Sequence, residues 1–349
     1  MCEKGQFVFS GSVAIVTPFG SKGGVEQVGI NLKKLLISKN IDACKYHLFD
    51  DDGKELLGLK ILIKIFKKHD IIHSHVYNIK YFFIFWMLSL IFNRQLITTF
   101  HSTFGCSRFD IKRPFWKSGY RQLSLIKFLS LLCPHLFGGK IIFVSKSVRD
   151  IIGTYISFYK SDDMVVIYNP TEMTTISSTT INNEVYFIGR LSVEKNPEIV
   201  IKAILETENI KVNILGDGPL YHPLKEKYAL YNRVSFWGWT EINNEIWGKV
   251  GIVIMPSEYE GFSLTAIDAI EKNSILICSN IPSFLELKKM FNQQVFIVDC
   301  IDYIKYADIL NKCIDKKVPD AKDTVSENFS MDKFIMKTLA LYNSMNFNK

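Results

Sequence analysis

Short apolar runs alternate with stretches of helical periodicity along the chain, and no other feature restricts its fold as tightly. In the first half the runs are Val13–Thr17, Cys44–Phe49, Ile71–His73, Leu96–Thr99, Ile141–Val144 and Val165–Ile167. In the second half they are Val185–Ile188, Val212–Leu215, Val234–Phe236, Ile252–Met255, Ile275–Ser279 and Val295–Val298. A short apolar run bounded by polar turns reads as a buried strand. A helix between successive strands supplies the crossover that parallel pairing requires, so the chain reads as an α/β protein with parallel sheets. Tyr168-Asn169-Pro170 and the Thr-, Ser- and Asn-rich stretch Thr171–Asn183 interrupt the alternation with the composition of a linker. The pattern predicts two Rossmann-like domains facing across a cleft, residues 1–168 and 169–328, and 349 residues suffice for two cores. An irregular insertion runs from Ser102 to about Trp116. Phe329–Tyr342 reads as a closing amphipathic helix with Ser330 as N-cap, within a tail of residues 329–349.

Charge is unevenly divided between the halves. Residues 1–168 carry 23 Lys and Arg against 12 Asp and Glu, a balance of +11, and the remainder carries 19 against 23, a balance of −4. A basic half predicts an anionic partner. No zinc-finger or RRM-like signature accompanies it, which points away from nucleic acid and toward a membrane surface or a phosphate-bearing acceptor. The seven cysteines are scattered and form no CxxC pair, a pattern that fits a reducing cytoplasm rather than a disulfide or zinc scaffold. The first apolar run reads as a strand rather than the core of a signal peptide. The longest apolar stretch, Tyr81–Phe92, has twelve residues. That is short of the roughly 20 needed to span a bilayer, so a buried helix is expected there.

The segment Met255–Ile270, MPSEYEGFSLTAIDAI, carries the clearest chemistry. A strand ends at Met255, an acidic loop follows, and Leu264, Ile267 and Ile270 recur at helical spacing. Strand end and helix start therefore coincide, and in an open parallel sheet that is where ligands bind. The amides of Phe262, Ser263 and Leu264 offer a seat for phosphate at the helix start. Glu260 on the loop and Asp268 in the helix would flank that seat, as suits a nucleotide sugar with hydroxyls on both sides of a diphosphate.

This segment resembles the E-x7-E motif of retaining glycosyltransferases of family 4, which have the GT-B fold. The common form, P-S-x-x-E-G-F-G-L-x-x-x-E-A, is matched at Pro256, Ser257, Glu260, Gly261, Phe262, Leu264 and Ala269. Ser263 stands where the family has glycine and Asp268 where it has a second glutamate. The resemblance implies that Glu260 orients the donor sugar, that Asp268 holds the ribose with a shorter reach, and that the last helix crosses back to the first domain. Val185–Pro197 resembles the family's G-R-L-x-x-x-K, in which Arg190 and Lys195, beside Gly189, would hold the donor diphosphate. Fixed cations stabilise the charge that grows on a departing phosphate. Gly216-Asp217-Gly218 resembles the family's glycine turn near the nucleotide, where glycines let backbone approach a ligand. A plain tight turn would look the same. Trp239, with Trp237, could wall the base pocket or pack in a core.

In the first half, Pro18–Glu26 resembles the family's G-G-x-E loop, with Gly23 and Gly24 letting main chain approach donor and acceptor. Thr98–Thr103 places His101 just past a strand end, matching a family histidine that faces the transferred sugar. A neutral imidazole there would hydrogen-bond a hydroxyl or support the oxocarbenium-like centre, without acting as a nucleophile. His73 and His75 also follow a strand end and carry no assigned chemistry. Asp50-Asp51-Asp52 reads as a solvated turn, and neither metal nor cofactor is expected beyond the donor substrate.

The resemblance implies a retaining, metal-independent transfer from a nucleotide diphosphate-sugar to a glycan or lipid-linked acceptor, by front-face displacement, in cell-surface polysaccharide synthesis. The alternatives are a glycosyltransferase-like accessory subunit without turnover and a nucleotide-sugar epimerase of the same fold. Two basic and aromatic features suggest peripheral contact of a cytoplasmic enzyme with an anionic membrane. In Glu55–Lys68, Lys60, Lys64, Lys67 and Lys68 share a helical face. In Phe109–Arg121, Phe109, Phe115 and Trp116 interleave with Lys112, Arg113, Lys117 and Arg121.

Overall fold

A computed structural model of the chain describes residues 9–20, 23–76, 79–102, 139–153, 164–174, 184–314, 316, 318 and 320–345. The basic and aromatic stretch Phe109–Arg121 and most of the insertion after Ser102 lie outside the described residues. The described residues fall into two compact units, one built from the segments up to 102, 139–170 and 331–345, the other from Thr171–Ser330.

The first unit runs β1 (Val13–Thr17), α1 (Gly24–Ser38), β2 (Ala43–His47), α2 (Leu59–Lys68), β3 (Ile71–Ser74), α3 (Ile79–Ile91), β4 (Gln95–Phe100), β5 (Lys140–Phe143), α4 (Lys146–Gly153) and β6 (Met164–Val166). The second opens with β7 (Glu184–Ile188), a 3-10 turn (Val193–Lys195), α5 (Pro197–Leu205), β8 (Lys211–Leu215), α6 (Tyr221–Lys227) and β9 (Val234–Gly238). It continues with α7 (Asn244–Trp247), β10 (Ile252–Met255), α8 (Leu264–Glu271), β11 (Ile275–Ser279), α9 (Pro282–Met290), β12 (Val295–Val298), α10 (Tyr303–Cys313) and α11 (Lys322–Phe329). The closing helix α12 (Met331–Asn343) belongs to the first unit, where it packs on α1.

Each unit holds one parallel six-stranded sheet, in the order β2-β1-β3-β4-β5-β6 in the first and β12-β11-β10-β7-β8-β9 in the second. All twelve runs fall on strands; the inner strands β1, β3, β10 and β11 are buried along their whole length, as parallel strands under helices are, whereas the edge strands β2 and β9 are only partly buried. In the second sheet the chain leaves β7 outward through β8 and β9, then returns to pair β10 on the other side of β7. That reversal opens a crevice at the carboxyl ends of β7 and β10, where ligands of open α/β sheets bind. The first sheet reverses in the same way between β1 and β3.

Three local expectations are corrected. The closing helix starts at Met331, with Ser330 extended (φ −67°, ψ 155°) in the expected N-cap position, but Phe329 does not belong to it and ends a separate helix in which it is fully buried. The start of the supposed linker is fixed, since Thr171 is buried, bridges Ser330 and donates its hydroxyl to Asp268. The helix over Tyr81–Phe92 is buried on one side only. Tyr81, Phe85 and Leu88 enter the core beside Phe66 and Ile72, whereas Phe83 is 56% and Ile91 64% exposed. One face of α3 covers the sheet and nothing among the described residues covers the other.

Backbone contact between two turns fixes the top of the second sheet. Gly189 N donates to Leu215 O (3.0 Å), Leu191 N to Asp217 O (2.9 Å) and Leu220 N to Leu191 O (2.9 Å). Gly216 has φ +137°, and a Cβ there would stand 1.9 Å from Gly189 O. The close approach that demands glycine is therefore between the two turns. Gly216→Ala should destabilise the protein by more than about 1 kcal/mol, since alanine meets both a disfavoured φ and a backbone clash. A lowered urea midpoint checks this; an unchanged midpoint would show that the turns are not in contact.

Candidate functional site

At the carboxyl end of β7 the chain passes through Gly189, Arg190 and Ser192 into the 3-10 turn that carries Lys195. At the carboxyl end of β10 it passes through Pro256, Ser257 and Glu260 into α8. The two exits are joined by three contacts. Lys195 Nζ is bonded to Glu260 Oε1, Asn196 Nδ2 donates to Pro256 O (3.1 Å), and Glu258 N donates to Glu194 O (2.8 Å). Ser257 Oγ donates to the same Glu260 Oε1 (3.1 Å). The ion pair is partly withdrawn from water, with side chains 25% and 10% exposed, so each charge compensates the other where solvent would not suffice. Arg190 is exposed beside it. Burial pushes the Glu194 carboxyl up, but the Ser192 hydroxyl, its own amide and the charges of Lys195 and Arg190 outweigh that and hold it below the ordinary value.

Asn196 adopts a left-handed conformation (φ 48°) just before Pro197, the first residue of α5. The Asn-Pro pair is the signal that could have marked this joint: asparagine tolerates the turn and proline suits a helix's first position.

Across the crevice, α8 begins at Leu264. Ser263 Oγ accepts from Ala266 N (3.2 Å), so the serine standing in place of the family's glycine is the helix cap. Gly261 and Ser263 are buried, and Phe262 lies against Phe329 with ring centroids 5.6 Å apart. Asp268 is half-buried, and burial raises its carboxyl above the usual carboxylate range despite the bond from Thr171. One turn on, the fully buried Glu271 pairs with Lys272 (2.9 Å) and accepts from Thr174 N (2.7 Å). This pair was not legible in the sequence, because burial of adjacent charges depends on what packs above them. Asp217 is exposed and bonds Gly218 N (2.7 Å). Trp239 is 74% exposed and Trp237 48%, which removes core packing as the explanation for either ring.

In the first unit, the strand ends bordering the reversal gather three histidines. His101 follows β4 and its Nε2 meets His75 Nδ1 at 2.7 Å. His75 stacks on His73 (centroids 4.6 Å, 14° between planes). His73 in turn binds Tyr342 Oη and Thr99 Oγ1, each at 2.7 Å. All three are buried, and burial holds each imidazole neutral, His75 at about 3 and the others well below the ordinary value. Among the described residues, His75 Nε2 has no hydrogen-bond partner.

Gly23 sits at φ +112°, and a Cβ there would approach Glu26 Oε2 at 2.6 Å, so it is a defined turn. Gly24 opens α1. Phe19 N donates to the buried Glu26 (3.2 Å) and Lys45 Nζ to Gly20 O, tying the described parts of the loop together. Asp50 accepts from Asp52 N (3.1 Å) and Lys54 N (2.7 Å) in a local turn. No group of metal-ligating side chains forms among the described residues.

The neutral histidines fix a pH dependence. Their folded-state affinity for protons is depressed, so the unfolded chain takes up more protons as pH falls below about 6.5. Stability should therefore fall between about pH 6.5 and about pH 3, by about 1.4 kcal/mol per pH unit for each imidazole kept neutral. Urea midpoints at about pH 7.5 and about pH 5.5 check it, with a smaller fall expected for His75→Gln. Equal falls in the two proteins would contradict it.

Two family models lie end to end on the chain. Glycosyltransferase Family 4 matches residues 12–174 and Glycosyl transferases group 1 matches residues 175–329. An O-antigen biosynthesis glycosyltransferase, WclY of Escherichia coli, is 25% identical over 325 residues, covering 84% of this chain and 88% of that protein. An uncharacterised glycosyltransferase of Methanocaldococcus jannaschii is also 25% identical, over 45% of this chain and 44% of its own length. The crystal structure of Anabaena HepE with UDP and glucose superimposes over 96% of this chain and all of that one (TM-score 0.74, 17% identity). At that identity the likeness shows a shared fold.

Proposed function

Since the chain belongs to the family 4 glycosyltransferases of group 1, we propose that it transfers a sugar from a nucleoside diphosphate donor to a glycan or lipid-linked acceptor of a cell-surface polysaccharide. The anomeric configuration is retained, and no metal takes part. The observation that carries this reading is the pairing of Lys195 with Glu260 where β7 and β10 end. Both Lys195 and Ser257 converge on Glu260 Oε1. Oε2 is then the oxygen that accepts from a hydroxyl of the donor sugar, while Lys195 turns its remaining donors to the diphosphate. Arg190 supplies the second cation, and the amide end of α8, from Gly261 to Leu264, receives the phosphate.

In the proposed reaction the sugar–phosphate bond breaks as the acceptor hydroxyl attacks from the same face, and the leaving phosphate oxygen takes the hydroxyl proton. Arg190 and Lys195 lower the barrier by matching the charge that accumulates on that phosphate, in place of a metal ion. Neutral His101 donates or accepts a hydrogen bond at the sugar, held by His75. Gly189 and the Gly216–Gly218 turn shape the crevice, and the exposed Trp239 ring offers a stacking wall for the base. Thr171 occupies Asp268 Oδ1, which leaves Oδ2 to a ribose hydroxyl.

Relatives support the substrate class. WclY of Escherichia coli is named for O-antigen biosynthesis. A Campylobacter jejuni relative, 31% identical over 142 residues, is named as an N-acetylgalactosaminyltransferase acting on a glycan carried by diphosphoundecaprenol. A lipid carrier of that kind would be met by a peripheral enzyme at the membrane face. The shorter, Thr171-bonded Asp268 favours one other reading, an accessory subunit that binds nucleotide without turnover.

Incubation with UDP-, GDP- and dTDP-sugars should give hydrolysis or transfer from one donor class, with an α-linked product from an α-linked donor and no loss on chelation. Glu260→Ala and Arg190→Ala should each lower kcat by about 100-fold or more. Transfer untouched by both substitutions would overturn the site. Nucleotide binding with no turnover from any donor would favour the accessory subunit.

A further inference from the structure

The sequence pattern marks α3 as a helix apolar at every position but Lys80 and Ser89, and the fold leaves half of it uncovered. Phe83, Met87, Leu90 and Ile91 are 56%, 38%, 43% and 64% exposed. They fall on one side of the helix, opposite the core-facing Tyr81, Phe85 and Leu88. A helix on the outside of a Rossmann-like sheet ordinarily turns a polar face outward, and scattered single apolar residues would need no explanation. Four in one row, on one helix, do.

The neighbouring helix supplies the complementary half. Leu62, Ile65 and Phe66 of α2 enter the same core as α3, with Phe66 and Phe85 ring centroids 5.8 Å apart. Lys60, Lys64, Lys67 and Lys68 of α2 are all exposed. The two helices adjoin at their ends, where Lys67 Nζ lies 5.7 Å from the centroid of Phe92, just beyond the end of α3. No Asp or Glu occurs between Glu55 and Asp70 or between Asp70 and Asp110, so this layer is cationic with scarcely an acid in it. Among the described residues no helix is long and apolar enough to cross a membrane.

We propose that the outer faces of α2 and α3 form a docking face for an anionic lipid bilayer. The apolar row of α3 enters the headgroup boundary, while the lysines of α2 extend their stems along it and set their ammonium groups among lipid phosphates. A second copy of the chain is disfavoured as occupant, since it would set lysine against lysine. This deepens the reading that the acceptor is lipid-linked, and it rests on that reading for its purpose.

Sedimentation of the full chain with vesicles tests it. The protein should pellet with vesicles of equal parts phosphatidylglycerol and phosphatidylcholine at low salt, and stay in solution with phosphatidylcholine alone. The pair Phe83→Ser with Leu90→Ser, and separately Lys60→Glu with Lys64→Glu, should each reduce partitioning more than tenfold. Leu230→Ser, at a 97% exposed position of the other unit, should not. Wild-type protein that stays in the supernatant, or paired variants that pellet as well as wild type, would overturn the proposal. So would a wild-type dimer in light scattering that Phe83→Ser with Leu90→Ser dissolves without any vesicle binding, which would assign the face to a second copy. Melting temperatures verify that the variants fold. Thermal stabilisation by nucleotide, measured on the same proteins, reads the donor site independently, so loss of docking and loss of the transferase reading remain distinguishable.

Discussion

The joint between the exits of β7 and β10 is the constraint on which the crevice of the second unit depends. These adjacent parallel strands send their chains in opposite directions, and such a reversal leaves a gap unless side chains close it. Lys195 with Glu260, Asn196 with Pro256 and Glu194 with Glu258 close it at three points. Two of those bonds involve main chain, so the loops are registered even when the ion pair is disturbed. A partly desolvated pair costs most when one partner is removed and the other charge is left without compensation. In the proposed reaction an entering diphosphate adds negative charge beside Lys195, so the lysine is shared between Glu260 and phosphate with no charge stranded.

The two units handle polarity in opposite ways. The second gathers charges at its strand ends and balances them, down to the buried Glu271–Lys272 pair that holds Thr174. The first gathers imidazoles at its strand ends and keeps them neutral by burial, in a hydrogen-bonded row from Thr99 through His73 to Tyr342, stacked against the linked pair His75 and His101. A neutral histidine suits a role as hydrogen-bonding partner to a sugar, which carries no charge for a cation to meet.

Much of this was legible in the sequence. The inner strands were, because a parallel strand under helices is apolar along its length. The exits of β7 and β10 were, because Gly189–Lys195 and Pro256–Ala269 resemble family motifs that follow strands. Other features were decided by tertiary contact. His73 and Tyr342 are 269 positions apart, and nothing local announces their bond. Thr171 has a linker's composition, yet Asp268 holds it. An apolar helix such as α3 reads as buried because periodicity cannot say which side receives a cover. Ser330 marks the start of the closing helix in the sequence, but Phe329 and Phe334 share one apolar pattern, so the separate helix that Phe329 ends is invisible without the backbone.

The central claim is that a nucleoside diphosphate rests at the carboxyl ends of β7, β8 and β10. Hydrogen–deuterium exchange of the full chain, with and without UDP, GDP or dTDP, measures this directly. The account predicts slowed exchange concentrated in residues 189–195, 216–218 and 260–264 with one of the three nucleotides. Protection confined to other segments, with those three unchanged, would contradict it.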